Sequence, residues 1–429
     1  MSKRAISDLL NGEAEQRPAQ KQRLECEEPA KITHRLQYPS LNNSPRPPLF
    51  QHPNQLISFS YSSSHHQEFT NVALKYFVDP PPSADLSFRY ESWIKRPESR
   101  GRLDSLLSAC LRDEVKMDLS RAGIVSWRGV VTKILTAPYE ERDGWELNVM
   151  SVNGTIYLEE HLSEEKLKEK EDMAPRQRLQ SYYGYAFESY CTSSTPEPSR
   201  HPKGWGGDIN TNVQWCSVVK TKLGDNRMII GGEVDCVRGN KYTGQPDTFV
   251  ELKTSMAIRG ASDEARFEKK LLKFYFQSFL LGVPEILVGF RTPAGIITTI
   301  QSFKTIQIPR LVRGKPGAWD PNICLDWGTR FIAFLKSLLN DTDAEGVHER
   351  HEKQQRVWRV VFTPKSGVEV FLLDRDDLEE VRNGEERVGF LPKSYWDEVT
   401  RDGRSSEPAP LKATTTEAKP VEVPSGWKI

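Results

Sequence analysis

Four residues in one short stretch carry the chemistry of this chain. Glu233 and Asp235 stand two apart in Gly-Gly-Glu-Val-Asp-Cys, and Glu251 and Lys253 stand two apart in Val-Glu-Leu-Lys-Thr. Side chains at i and i+2 of an extended strand share a face, so each pair points one way. If the two segments pair as a hairpin, three carboxylates and one ammonium converge on one patch. Carboxylates gathered on one face repel unless a cation sits among them. Hard oxygen ligands favour Mg²⁺ or Mn²⁺, which bind through a few carboxylates plus substrate phosphate. A neighbouring Lys can orient or activate an attacking water and offset phosphate charge.

The spacing sharpens this reading. Asp235 is followed sixteen positions later by Glu251-x-Lys253, the D…(D/E)xK arrangement of metal-dependent nucleases. A fourth acid, Glu188, closes Gly184-Tyr-Ala-Phe-Glu188 in a largely aromatic helical segment, where an unpaired carboxylate is costly. Lys269, Lys273 and Gln277 fall at i, i+4 and i+8 of a further helix, a polar stripe able to meet phosphate or base edges.

Elements to hold these residues are readable in the same way. Met228–Cys236 and Thr248–Thr254 read as strands, as do Gly123–Leu135, Glu285–Phe290 and Ile296–Ile308. Asn153-Gly154, between Trp145–Met150 and Thr155–Leu158, predicts a tight hairpin, and Arg356–Phe362 with Val368–Leu373 predicts a late one. Arg176–Tyr190, Arg266–Leu281 and Leu325–Leu339 have helical periodicity, and the charged run Ser163–Asp172 reads as a solvated helix. Mixed strands and helices imply an α/β (mixed α+β) fold.

The chain has 429 residues with 59 Lys+Arg against 59 Asp+Glu. Zero net charge argues against a coat-type nucleic-acid binder resting on massed Lys and Arg. The balance is uneven: residues 251–313 hold ten basic against five acidic side chains, and 341–387 hold eight against thirteen. None of the six cysteines forms a CxxC pair, which fits a reducing compartment and neither a disulfide scaffold nor a zinc ribbon. No run approaches ~18 consecutive apolar residues, and the N-terminus lacks a signal-peptide pattern. No membrane partner is expected. Residues 1–29 and 404–429 read as disordered tails around a single domain over 30–403. His348 and His351 read as part of a solvated acidic segment, and the histidines of Ser62–His66 as incidental to a loop.

Six motifs in order resemble the DXO family of RNA 5′-end decapping nucleases, most closely its nuclear fungal members. They are Ser-Trp127-Arg128-Gly129 with Thr132-Lys133; Gly184 to Glu188; Asn210-Thr-Asn-Val with Trp215-Cys216-Ser; Gly232-Glu233-Val-Asp235-Cys; Val250-Glu251-Leu252-Lys253; and Lys270 to Lys273 through Gln277 to Gly289-Phe-Arg291. The resemblance implies two twisted mixed β-sheets with flanking helices, with the site between them. It implies Glu188, Asp235, Glu251 and the Leu252 carbonyl as ligands of Mg²⁺ or Mn²⁺, with Glu233 acting through water or a second metal. Catalytic roles are implied for Glu233, Asp235, Glu251 and Lys253. Substrate contacts are implied for Trp127, Arg128, Gly129, Cys216, Glu233, Lys253 and Gln277. Implied substrates are RNA 5′ ends bearing a triphosphate, an incomplete guanosine cap or an NAD cap. Implied too are a 5′-monophosphate product, a nuclear location and a 5′-to-3′ exoribonuclease partner. Upstream, Gly101 in Arg100-Gly-Arg-Leu-Asp stands where a more polar residue is expected.

Two other readings compete with a metal-dependent hydrolase of RNA 5′ ends. One is a mainly non-catalytic partner that stabilises an exoribonuclease. The other is a DNA endonuclease of the D…(D/E)xK type, which the Trp127-Arg128-Gly129 and Gln277 motifs disfavour.

Overall fold

The computed structural model describes residues 33–41, 45–46, 48–196, 204–341 and 355–402. The predicted tails, His348 and His351 lie outside these residues.

Two mixed sheets organise the described chain. The larger comprises β1 (Thr33–Gln37), β2 (Phe50–Tyr61), β3 (Gln67–Glu68), β5 (Ile124–Trp127), β6 (Trp145–Val152), β7 (Thr155–His161), β9 (Gln214–Leu223), β10 (Asn226–Glu233), β15 (Trp358–Thr363) and β16 (Gly367–Leu372). Its strand order is β1-β16-β15-β6-β7-β5-β10-β9-β2-β3. The smaller comprises β4 (Tyr76–Phe77), β8 (Thr192–Ser193), β11 (Cys236–Val237), β12 (Phe249–Met256), β13 (Glu285–Arg291) and β14 (Ile297–Lys304), in the order β14-β13-β12-β11-β4-β8. The helices up to that of residues 321–341 are α1 (Asp104–Cys110), α2 (Asp113–Leu119), α3 (Arg128–Thr136), α4 (Glu164–Glu171), α5 (Pro175–Tyr190), α6 (Ala261–Leu281), α7 (Ile308–Val312) and α8 (Pro321–Asp341), of which α1, α3, α5, α6 and α8 matter for the site.

Local signals hold where backbone chemistry is decisive. Asn153 (φ 51°) and Gly154 (φ 83°) are both left-handed, as a two-residue hairpin of the right twist requires. Both predicted helices over 176–190 and 266–281 form, and the charged run becomes a helix, Glu164–Glu171, that buries nothing.

The expected strand over Gly123–Leu135 is corrected. Only Ile124–Trp127 is extended, and Arg128 begins α3. Val130, Val131, Ile134 and Leu135 are buried on α3 in a core shared with α6 and α8. Burial of that apolar face outweighs the few tenths of a kcal/mol by which β-branched residues disfavour a helix.

The main core lies beneath α3, α6 and α8. A second, around Phe59, Leu106 and Val218, lies with α1, and a third holds α5 against the smaller sheet through Phe187 and Leu252. Gly289 of β13 makes that last contact close: a Cβ there would stand 2.5 Å from Phe187 Cε2. A bare backbone at 289 therefore sets the height of α5, and with it Glu188. Among the described residues no helix is long and apolar enough to cross a membrane.

Candidate active site

The acids converge by a route different from the expected hairpin. β10 and β12 do not pair; each belongs to a different sheet. Glu233 is the last residue of β10, facing Cys216 of β9, while Cys236 pairs with Val250 of β12. Val234 and Asp235 cross between the sheets, so Asp235 is not on Glu233's strand. Val234 is buried and its N–H donates to Trp215 O at 3.0 Å, which anchors the crossing.

β11 is only two residues long, so the β12 edge is open beyond Val250. Asp235 fills that opening, its Oδ2 accepting from Leu252 N–H at 2.6 Å. A strand residue's N–H and C=O project to the same edge, so the Leu252 carbonyl opens toward Asp235 too. Glu251 and Lys253 share a face, as their spacing predicts: Glu251 Oε1 lies 2.5 Å from Lys253 Nζ. Glu251 Oε2 accepts from Arg128 Nη1 at 3.0 Å, and the Glu251 side chain is 1% exposed.

Two glycines admit Arg128. A Cβ at Gly231 would stand 2.7 Å from Trp127 Cζ3, and one at Gly232 would stand 3.0 Å from Arg128 Cβ and 2.9 Å from Leu281 Cδ1. The Gly-Gly pair before Glu233 is thus a gap through which the start of α3 and the end of α6 reach the acids. Trp127 wedges over it, its indole N–H donating to Arg102 O at 2.8 Å. Added atoms at Gly129 would meet only open space, and α3 has no side-chain N-cap. The N–H groups at its start are therefore available to an anion.

Burial and mutual repulsion govern the electrostatics. The Glu188 carboxyl is pushed well above the carboxylate range by burial and then by Asp235 and Glu233. Burial and Glu251 raise Asp235 to about 7. Burial raises Glu233 against the pull of Arg128. Glu251 is buried too, but Arg128 and Lys253 outweigh that and draw it down to about 2. Lys253 is raised in return: burial opposes its charge, but Glu251 and Asp235 prevail. The two cations thus hold Glu251 most closely, and for Glu233 and Asp235 burial outweighs their pull. Four carboxylates against Arg128 and Lys253 leave a formal −2, the charge one divalent cation cancels.

This donor set fits a hard divalent ion: carboxylates, a strand-edge carbonyl, and a buried Glu251 Oε1 that accepts no well-directed hydrogen bond. The side chains do not stand as a finished cage. Among the described residues no group of three or more Asp, Glu, His or Cys is arranged to hold an ion, because Glu251 faces Arg128 and Lys253.

A cleft of about 210 Å³ opens onto the acids, lined among others by Glu188, Glu233, Asp235, Tyr185, Gln214 and Lys75. Cys216, expected to line a substrate pocket, is 4% exposed within the second core, directly opposite Glu233 on the neighbouring strand. Gln277 is half-buried on α6, one turn before Leu281. The rest of its expected stripe turns elsewhere: Lys273 pairs with Glu140 at 2.8 Å and Lys269 with Glu141 at 3.4 Å.

Sequence reasoning missed Gln214, Lys75 and Arg96. Gln214 was legible: it lies two before Cys216 on β9, hence on the face of Glu233, and its Nε2 donates to Glu233 Oε2 at 2.8 Å. Lys75 gave no pattern signal. Its backbone O accepts from Val237 N–H at 2.9 Å, which brings it beside the crossing; burial lowers its pKa. His65, expected to be incidental, bonds Arg96 and Asn212.

An Asp on a crossing between two mixed sheets, with Glu-x-Lys on the next strand, defines the PD-(D/E)XK class of nuclease. Within it, the model of the RAI1-like PD-(D/E)XK nuclease family matches residues 51–396, and the chain belongs to that family. It is 37% identical to the decapping nuclease RAI1 of Mycosarcoma maydis, over 82% of this chain and 88% of that one. It is 35% identical to the human decapping and exoribonuclease protein, over 72% and 81% of the two chains. Among solved structures, S. pombe Rai1 in complex with 3′-FADP superposes with a TM-score of 0.64 at 26% identity, covering 80% of this chain and 100% of that one.

Proposed function

We propose that the chain is a divalent-metal-dependent hydrolase of RNA 5′ ends. It would release pyrophosphate from triphosphate ends and remove incomplete guanosine caps and NAD caps, leaving 5′-monophosphate RNA. The observation that carries this is a formal −2 cluster: Glu188, Glu233 and Asp235 line the cleft, and Glu251 is buried against Arg128 and Lys253. Support comes from the family, from relatives named decapping nucleases, and from the nucleotide bound by the S. pombe relative.

Glu188, Asp235, Glu251 and the Leu252 carbonyl would hold Mg²⁺ or Mn²⁺, with Glu233 joining through water or a second ion. Such an ion supplies Lewis acidity toward phosphate oxygens and water. The chain's own residues do the rest. Arg128 and the free N–H groups beside Gly129 place a terminal phosphate by charge and direction. Lys253, fixed by Glu251, stays protonated and offsets charge gathering on the leaving oxygen. Gln277 would orient the phosphate or water from α6.

The test is product analysis on 5′-triphosphorylated and NAD-capped RNA with Mg²⁺ or Mn²⁺. A Glu233→Ala, Asp235→Ala double variant is expected to release no 5′-monophosphate RNA, and intact activity in it rejects the reading. The same proposal includes a nuclear setting and a 5′-to-3′ exoribonuclease partner, supported by the motifs shared with nuclear fungal members. Co-purification of a tagged chain from nuclear extract with that exonuclease tests both.

A further inference from the structure

One line of hydrogen bonds leads from Glu233 through Gln214 to Arg96 and His65, residues without a part in the chemistry so far. Glu233 Oε2 accepts from Gln214 Nε2 at 2.8 Å, and Gln214 Oε1 accepts from Arg96 Nη1 at 3.1 Å. Arg96 is itself held twice more. Its backbone N–H donates to Thr211 Oγ1 at 2.8 Å, and Nη1 donates to His65 Nε2 at 2.9 Å. The His65 ring is pinned by Asn212 O, 3.0 Å from Nδ1, and by a flat stack on Tyr61 with centroids 4.0 Å apart.

The chemistry of each group gives the line a direction. A carbonyl only accepts, so His65 Nδ1 carries the proton and Nε2 receives from Arg96. A guanidinium only donates, so it takes the oxygen end of Gln214. Only the NH₂ end then remains for Glu233. Without Arg96 the Gln214 side chain loses the hold on its oxygen end and can swing away, so its NH₂ end no longer fixes the Glu233 carboxylate.

We infer that Arg96 is a positioning residue for Glu233, acting through Gln214 with His65 as its anchor. This rests on the proposed function only in that Glu233 takes part in hydrolysis. The orientation of the amide does not depend on which RNA end is cleaved.

The test compares Arg96→Met, Gln214→Leu and the double variant on 5′-triphosphorylated RNA with Mn²⁺, reading kcat and KM separately. Each single variant is expected to lower kcat about tenfold with KM changed by less than about twofold. The double variant is expected to be no worse than Gln214→Leu alone, because both changes break one line. Multiplying losses, or a raised KM with a shallower salt dependence, would mean that Arg96 touches RNA itself and would overturn the inference. A second measurement stands apart from hydrolysis. The Gln214 side-chain amide signal in ¹⁵N NMR, assigned by its loss in Gln214→Leu, is expected to move in both Arg96→Met and Glu233→Ala. An unmoved signal in Arg96→Met overturns the inference even if the enzyme reading stands. Failure of the wild-type chain to hydrolyse any RNA 5′ end rejects that reading while leaving the NMR outcome to decide this one.

Discussion

Arg128 reaches from the end of one sheet to a carboxylate in the other: its Nη1 lies 3.0 Å from Glu251 Oε2, with side chains 13% and 1% exposed. The pair is a strut as well as an electrostatic device. Removing one partner of a buried pair strands the other charge. Arg128→Met is expected to cost about 3 kcal/mol, measured by urea unfolding, and to abolish hydrolysis. Arg128→Lys is expected to recover part of the stability but little activity, because an ammonium lacks the planar fork that spans carboxylate and phosphate.

Ion binding is expected to depend on pH through Asp235. Its carboxyl is raised from 3.8 to about 7 by burial and Glu251. The folded chain therefore holds a proton that the unfolded chain has lost between those values, and without divalent ions its stability falls as pH rises across that window. Binding Mn²⁺ expels the proton. Calorimetry is expected to show affinity rising with pH across that window. Asp235→Asn is expected to weaken binding and flatten the pH dependence.

Gly289→Ala tests how α5 is set. A Cβ there would stand 2.5 Å from Phe187 Cε2, so the helix bearing Glu188 must shift or the ring must turn. The expected cost is about 1–3 kcal/mol, read as a lowered Tm. A fall in kcat beyond that expected from the unfolded fraction would trace the effect to Glu188.

Among the described residues that line the cleft, Lys75 is the only Lys or Arg. Burial of its ammonium is unfavourable without an anion beside it. Lys75→Met is expected to raise KM for triphosphorylated RNA about tenfold and to reduce the salt slope by about one. Lys75→Arg should hold KM near the wild-type value; an unchanged KM in the Met variant would place the phosphates elsewhere.

What could be read from the sequence was what depends on neighbours in the chain. Glu251 and Lys253 share a face because every second strand residue does, and Asn153-Gly154 turns because both residues tolerate positive φ. What could not be read depended on distant packing. Periodicity states which face Glu233 occupies, not which sheet, so the crossing at Val234-Asp235 was mistaken for a hairpin. Val130 and Ile134 have strand-like side chains, yet the core beneath α6 and α8 claimed them for a helix. Lys269 and Lys273 lay on the expected stripe, but Glu140 and Glu141 across the fold took them. His65 drew no notice because a loop histidine gains meaning only from what folds against it.

The passage from Glu233 to Cys236 has a mechanical meaning. Glu233 rides on one sheet, Glu251 and Lys253 on the other, and two residues join them. The spacing of the acids is therefore a gauge of how the sheets seat against each other. A cavity cut into the shared core, away from every carboxylate of the site, should detune hydrolysis while the protein remains folded. In such a molecule activity is a finer probe of core integrity than melting is.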